Sequence, residues 1–256
     1  MENNKISVAF VTYDNLENLE KSYRSITGME ELIVEIIVID SSTDMSIRTY
    51  VKNITEYNVK YEWEAAQGIY HAMNSALKLA NSGSYIWYLN PADELINRNV
   101  LAELLFKTKD EKFSWGFAQA VKELNDKKEI YPPKPIRPTL ENIASGRLSI
   151  SHQAMLVKVA ALKDVGGFDE KYEIASDLKM QIQLARNFLP VTVFKPLVSI
   201  DPTGISHNKQ MKTYIETFKV RFFTSDFSKL EVFYLTLRNL TLKVFMKLYK
   251  VCRFSK

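Results

Sequence analysis

Tyr85-Ile86-Trp87-Tyr88-Leu89-Asn90-Pro91-Ala92-Asp93-Glu94-Leu95 is an apolar run that stops abruptly at Asn, Pro and two acids, then resumes with leucine. A short apolar run bounded by turn residues reads as a strand covered on both faces, as in a parallel sheet. In open α/β sheets ligands bind beyond the carboxyl ends of such strands. A carboxylate fixed there is a hard oxygen ligand suited to Mg²⁺ or Mn²⁺ bridging phosphates. The competing reading is that Asp93 and Glu94 cap the next helix, because acids favour a first turn.

The flanking chain supplies the context for that strand. Ile6 to Tyr13 is β-rich and ends at Asp14-Asn15, either of which suits an N-cap; Leu16, Leu19, Tyr23 and Ile26 then recur at helical spacing. Glu31 to Ile39 is an Ile/Val run closing at Asp40, Met45 to Asn53 reads as a short helix, and Asn58 to Trp63 as a further strand. Gly68 opens a helix whose Ile69, Met73, Leu77 and Ala80 share a face, and Gly83 is placed to cap its end. This alternation predicts an α/β fold with a parallel sheet under helices.

Downstream, Phe113 to Glu123 and Glu129 to Tyr131 read as a hairpin, and the proline-dense 131–138 as a loop. Ser149 to Val157 is strand-like, Ala160 to Val165 a short helix stopped by Gly166-Gly167, Asp177 to Phe188 a helix, and Val191 to Val198 a strand. The expected domains are 1–206 and a helical tail, 207–256. The tail holds 11 Lys and Arg against 3 Asp and Glu, leaving 23 against 27 in the rest. On a helical wheel Thr236, Asn239, Lys243, Lys247, Lys250 and Arg253 face Leu237, Val244, Phe245, Leu248, Val251 and Cys252. Such a basic amphipathic helix either lies on an anionic membrane or docks on its own domain.

With 46% hydrophobic residues and a mean hydropathy of −0.17, the composition is that of a soluble globular protein with a sizeable core. A single cysteine, Cys252, excludes an intrachain disulfide and a cysteine-based zinc cluster, so a cytoplasmic address is expected. Met1 to Lys5 is polar with no signal-peptide pattern, and no apolar stretch reaches the ~18 residues of a membrane span.

Three acids sit at expected strand ends or turns: Asp40, Asp93 and Asp177. A carboxylate at Asp40 suits a base N–H or ribose hydroxyl, and one at Asp93 suits a cation against a diphosphate. Asp177, just ahead of a helix, reads either as its N-cap or as a general base. No Gly-rich dinucleotide fingerprint or Walker-type loop is present. His71, His152 and His207 show no triad spacing, and the aromatics lack the basic interleaving of a nucleic-acid platform.

Several segments together carry a family likeness: Gly68-Ile69-Tyr70-His71-Ala72-Met73-Asn74, Tyr85 to Leu95, Ser151-His152-Gln153-Ala154, Gly166-Gly167-Phe168-Asp169 with Ala175-Ser176-Asp177, and Thr203-Gly204-Ile205-Ser206. In this order they resemble the family 2 inverting glycosyltransferases, nearest to the bacterial subgroup serving capsule, exopolysaccharide and O-antigen assembly. The resemblance implies a GT-A fold, a Rossmann-like nucleotide-binding sheet flanked by helices and joined to an acceptor-binding half. Asp40, with Thr12 and Tyr13 near it, would then meet the nucleotide base. Gly68, Asn74 and Asn90 would lie on the nucleotide-sugar side, and Asp93 would hold Mg²⁺ or Mn²⁺. Asp177 would deprotonate an acceptor hydroxyl, and His152 and Gln153 would line the acceptor or diphosphate side. The chain departs from the pattern at Ala92, where a second acid is usual, and at Ala66, His71, Ser151 and Asp14.

The implied activity is inverting transfer of a hexose from a nucleotide-diphospho-sugar, a UDP-sugar, to a lipid-linked glycan at the inner membrane face. The alternative is a degenerate homologue that binds nucleotide-sugar or glycan without turnover, a reading that Ala66, His71 and Ala92 favour. Nucleic acid is not the expected partner; if the basic tail bound it, binding would be steeply salt-dependent.

Overall fold

The computed structural model describes residues 5–110, 113–124, 127–201, 209–224, 227–235, 237–238 and 241. Its centre is a nine-stranded mixed sheet. The first half alternates as expected: β1 (Ile6–Thr12), α1 (Leu16–Ile26), β2 (Ile33–Asp40), α2 (Ser46–Lys52), β3 (Asn58–Trp63), α3 (Ile69–Leu79) and β4 (Tyr85–Tyr88). These four strands lie parallel in the order β3-β2-β1-β4. The chain reverses its direction of winding between β1 and β4, so the crevice at their carboxyl ends is the topological switch point.

The second half is mostly antiparallel. It comprises β5 (Glu94–Leu95), α4 (Arg98–Thr108), β6 (Phe113–Leu124), β7 (Lys127–Tyr131), α5 (Leu140–Ala144), β8 (Met155–Lys158), α6 (Val159–Asp164), α7 (Ser176–Asn187), β9 (Leu189–Ile200) and α8 (Gln210–Thr224). β8 joins β4 and β6 antiparallel, β6 runs parallel to β9, β5 closes on β9 antiparallel, and β7 hairpins onto β6.

Every residue of β1 and of β4 is buried, because two separate apolar layers sandwich the sheet. That double cover explains why these strands read as continuous apolar runs rather than alternating ones. The aromatic residues of β4 also tie its surroundings together. Tyr85 OH donates to Thr108 O at 2.5 Å, Trp87 Nε1 to Gln153 O at 2.7 Å and Tyr88 OH to Met73 O at 2.9 Å. Each polar handle is thus satisfied inside the core, as burial requires.

Several expectations need correction. The helix after Asp93 and Glu94 starts at Arg98 and is capped by Asn97, whose side chain accepts from Val100 N, so neither acid is its cap. Helix α3 ends at an extended Ala80, and Gly83 instead donates its N–H to the Asn81 side chain. Asn15 occupies the N-cap of α1 without a side-chain bond, while Asp14 turns across to accept from Thr43 N and Oγ1. Of the strand expected over 149–157, only 155–157 is β, and the strand runs on to Lys158; His152–Ala154 forms a 3₁₀ turn before it. The N-cap of α7 is Ala175, so Asp177 lies inside the first turn rather than before it.

The expected boundary at 206 lies outside the described residues, as does the amphipathic wheel over 236–253 apart from Leu237. Helix α8 nevertheless packs on α7 and contributes Val220 to the core, so the expected tail begins as a docked helix.

Candidate active site

One face of α1 holds the loop that follows β4, through a backbone carbonyl and two serine hydroxyls. Asn18, Ser22 and Ser25 recur at i, i+4 and i+7, on one helix face. Asn18 O accepts from Ala92 N at 3.2 Å, Ser22 Oγ donates to Asn90 O at 3.1 Å, and Ser25 Oγ accepts from Leu95 N at 3.0 Å. Asn90 to Asp93 is itself a tight turn, with Asp93 N donating to Asn90 O at 3.0 Å and Ala92 at φ 78°. Pro at the second position and positive φ at the third are the marks of a type II turn.

Opposite this loop, the bond from Trp87 to Gln153 O fixes the 3₁₀ turn carrying His152. His152 Nε2 lies 3.2 Å from Asn90 Nδ2, and its Nδ1 lies 3.6 Å from Asp177 Oδ2. With Asn90 as donor, the imidazole carries its proton on Nδ1, toward the Asp177 carboxylate. Val11, Ile69, Tyr70, Asn90, His152 and Asp177 are among the residues around one cavity of about 270 Å³ at the switch point, and Gln153 lines it too.

Asp93 is 2% exposed and sits behind this wall. Its Oδ1 accepts from Asp201 N at 2.8 Å, whereas Oδ2 is buried without a hydrogen-bond partner. Burial pushes its carboxyl up to about 6, against the easing effects of the Asp201 N–H and of nearby His152 and Gln153. Thr12 Oγ1, Asn90 Oδ1 and Ser176 Oγ are likewise buried without partners. Orphaned polar atoms are rare in folded proteins, and these four lie at the end of β1, in the turn Asn90–Asp93 and at the start of α7. A desolvated carboxylate with a spare oxygen fits a divalent cation, with further oxygens supplied by a ligand such as a diphosphate.

The other expected residues are placed differently. Asp40 lies one strand away beside Thr12, fully buried, with Oδ1 accepting from Ser42 N at 2.9 Å and Oδ2 from Tyr61 OH at 2.7 Å. It shapes the shelf at the ends of β1 to β3 rather than lining the cavity. Tyr13 stands on that shelf, 57% exposed. Gly68 is the N-cap of α3 at φ 104°, a conformation only glycine adopts easily, and it too lies outside the cavity lining. Asn74 departs furthest from expectation. Its amide donates to Phe168 O and Glu170 Oε1, both at 2.8 Å, and accepts from Phe168 N at 2.9 Å. A Cβ on Gly167 would come within 2.7 Å of Asn74 Oδ1, so the glycine pair and Asn74 together form a structural joint. His71 is occupied nearby, with Nδ1 3.0 Å from Glu170 Oε2.

Trp63 and Tyr70 belong to this region and are absent from the sequence reading of the site. Trp63 ends β3, is 57% exposed, and donates Nε1 to Ser42 O at 2.9 Å, beside Asp40. A large aromatic at the carboxyl end of an expected strand is a signal that would have identified it. Tyr70 lines the cavity and donates its OH to Ile174 O at 2.5 Å, a pairing across 104 positions that no local pattern announces.

Comparison with known proteins gives concordant results. An uncharacterized glycosyltransferase of Mycobacterium tuberculosis is 25% identical over 209 residues, which is 80% of this chain and 78% of that one. Among solved structures, residues 1–349 of S. aureus TarS superpose with a TM-score of 0.66 at 18% identity, over 91% of this chain and 69% of that one. The same TarS fragment in complex with UDP gives 0.66 over 92% and 70%. The mannosyltransferase PcManGT from Pyrobaculum calidifontis, in complex with GDP-Man and Mn²⁺, gives 0.63 at 18% identity over 84% and 63%. These structures share the fold. The model of the family described as glycosyl transferase family 2 matches residues 7–165. More than half of the chain lies inside that match, and the protein therefore belongs to glycosyl transferase family 2.

Proposed function

We propose that this glycosyltransferase is an inverting hexosyltransferase, using a UDP-sugar as donor and a hydroxyl of a growing, lipid-linked surface glycan as acceptor. The observation that carries the reading is the single cavity in which Asp177 faces His152 and Asn90, with Asp93 buried behind it. UDP in the TarS complex supports the nucleotide, and the motif likeness to capsule, exopolysaccharide and O-antigen enzymes supports the acceptor. The nucleoside rests on the shelf of Thr12, Asp40, Tyr13 and Trp63, whose exposed rings offer a stacking face.

Asp177 Oδ2 takes the proton of the acceptor hydroxyl, whose oxygen attacks the anomeric carbon. The bond from that carbon to the diphosphate breaks on the opposite face, and the nucleoside diphosphate leaves with the electron pair. His152, aligned by Asn90, stands beside the base with its Nδ1 3.6 Å from Asp177 Oδ2. A divalent cation, when bound, would neutralise charge on the leaving diphosphate, as Mn²⁺ accompanies GDP-Man in PcManGT. Asp93 is the residue to hold it, with Oδ2 free for the purpose.

The test is sugar transfer by Asp177→Asn. Loss of ~10²–10⁴-fold in kcat with an unchanged melting temperature is expected of a general base. Transfer at the wild-type rate would remove Asp177 from the chemistry. A wild-type protein that binds nucleotide-sugars yet neither transfers nor hydrolyses them would favour the non-catalytic reading, to which Ala92 beside Asp93 gives its support.

A further inference from the structure

Helix α7 delivers Asp177, but its N-cap is Ala175, which has no side-chain acceptor to offer. The three residues leading into α7 are instead held by another part of the chain. The backbone N–H groups of Glu173, Ile174 and Ala175 converge on the carboxylate of Glu216 in α8, which is 6% exposed. Oε2 lies 2.8 Å from Ile174 N and 3.1 Å from both Ala175 N and Glu173 N, and Oε1 lies 3.1 Å from Glu173 N. Successive N–H groups pointing one way make a concavity for an anion, and negative charge ahead of a helix is favoured by its dipole. Without Glu216 these buried donors would be orphaned.

The same loop is gripped further, from α3 on its other side and again from α8. Tyr70 OH, from α3, donates to Ile174 O at 2.5 Å. Lys209 and Lys212 pair with the Glu173 side chain. The three residues ahead of Ser176-Asp177 are thus held between α3, which floors the nucleotide-side cavity, and α8. In the first turn of α7, Asp177 Oδ1 accepts from Leu178 N at 2.7 Å, and its Oδ2 faces His152 Nδ1 at 3.6 Å.

We infer that Glu216 is the positioning residue for Asp177, so that the catalytic unit extends into α8, well past the residues matched by the family model. This rests on the role proposed for Asp177. Positioning matters because a displacement of about 1 Å at a reacting group costs on the order of 10²-fold in rate.

The experiment measures transfer kinetics, melting temperature and amide exchange on full-length Glu216→Ala and Glu216→Gln. Glu216→Ala is expected to lower kcat about 10²-fold, with KM for the donor unchanged and exchange quickened at 173–176. Glu216→Gln, which keeps one carbonyl oxygen for Ile174 and Ala175, recovers part of that loss. Tyr70→Phe, which removes only the opposite hold, lowers kcat less and serves if Glu216→Ala fails to fold. Wild-type kcat in Glu216→Ala would overturn the inference. So would a loss that tracks a falling folded fraction and is not relieved by Gln, because general unfolding lowers apparent kcat at constant KM. Where Asp177→Asn is inactive and Glu216→Ala fully active, this inference alone fails. Where Asp177→Asn is itself active, the base assignment fails first.

Discussion

Asp93 carries a stability cost in its burial. Its carboxyl titrates at about 6 in the folded chain, against 3.8 as the ordinary value, because burial penalises the charged form. Between those values the folded protein holds a proton that the unfolded chain has released, so stability falls as pH rises through the window. At neutral pH the whole cost is present, on the order of 3 kcal/mol. Asp93→Asn should therefore raise the unfolding free energy of the ligand-free protein at neutral pH, with the gain fading as pH falls from 6 toward 4. Transfer should be lost in the same variant. Urea unfolding across that pH range checks the sign; a variant less stable at neutral pH would contradict it. The place of Asp93 in a turn just past a buried strand was legible from the sequence, because an apolar run gives way there to Asn, Pro and acids. The neighbouring expectation for Asn74 was not, since nothing local distinguishes an amide facing a ligand from one pinning Phe168 and Glu170, almost a hundred positions away.

At the scale of elements, the turn Asn90 to Asp93 carries a residue poorly matched to its backbone. Ala92 sits at φ 78°, where an L side chain costs about 1–2 kcal/mol. Glycine removes that strain but adds roughly 0.5–1 kcal/mol of unfolded-chain entropy. Ala92→Gly is expected to stabilise the protein by roughly 0.5–1 kcal/mol, the balance of those two terms, read as a higher urea midpoint at constant m-value. A lower midpoint would mean that the turn is relaxed as it stands. The strands of the first half were legible because both faces are buried and the pattern is continuous. The 3₁₀ turn at His152 was hidden inside a strand-like run because its shape is set by Trp87, which takes Gln153 O from the neighbouring strand. The approach to α7 was not legible for a similar reason: the acid that holds the N–H groups ahead of the helix lies some 40 positions later, in α8.

At the scale of the whole molecule, charge and apolar exposure gather at the carboxyl-terminal helices. Leu230, Phe233, Tyr234 and Leu237 recur at i, i+3, i+4 and i+7 and are all exposed, Leu230 by 81%. Val232 and Leu235, on the opposite side, are buried. No helix among the described residues is long and apolar enough to cross a membrane. The stripe lies in the segment with 11 basic against 3 acidic residues, a combination suited to an anionic bilayer surface. Leu230→Glu with Phe233→Glu is expected to release the protein from anionic liposomes in a sedimentation assay while leaving its melting temperature near wild type. Sedimentation equal to wild type would remove the membrane from the proposal.

The sequence alone determined the α/β alternation, the strand ends that carry Thr12 and Asp40, the turn that carries Asp93, and the family likeness, because each is written in local periodicity or in contiguous motifs. Only the tertiary structure decided which of those residues meet. Asp177 and His152 come together at the cavity while Asp40 stays one strand away, and Glu216 reaches back to hold the approach to Asp177. Those outcomes depend on sheet order and helix docking, which are set by burial over the whole chain rather than by any segment of it.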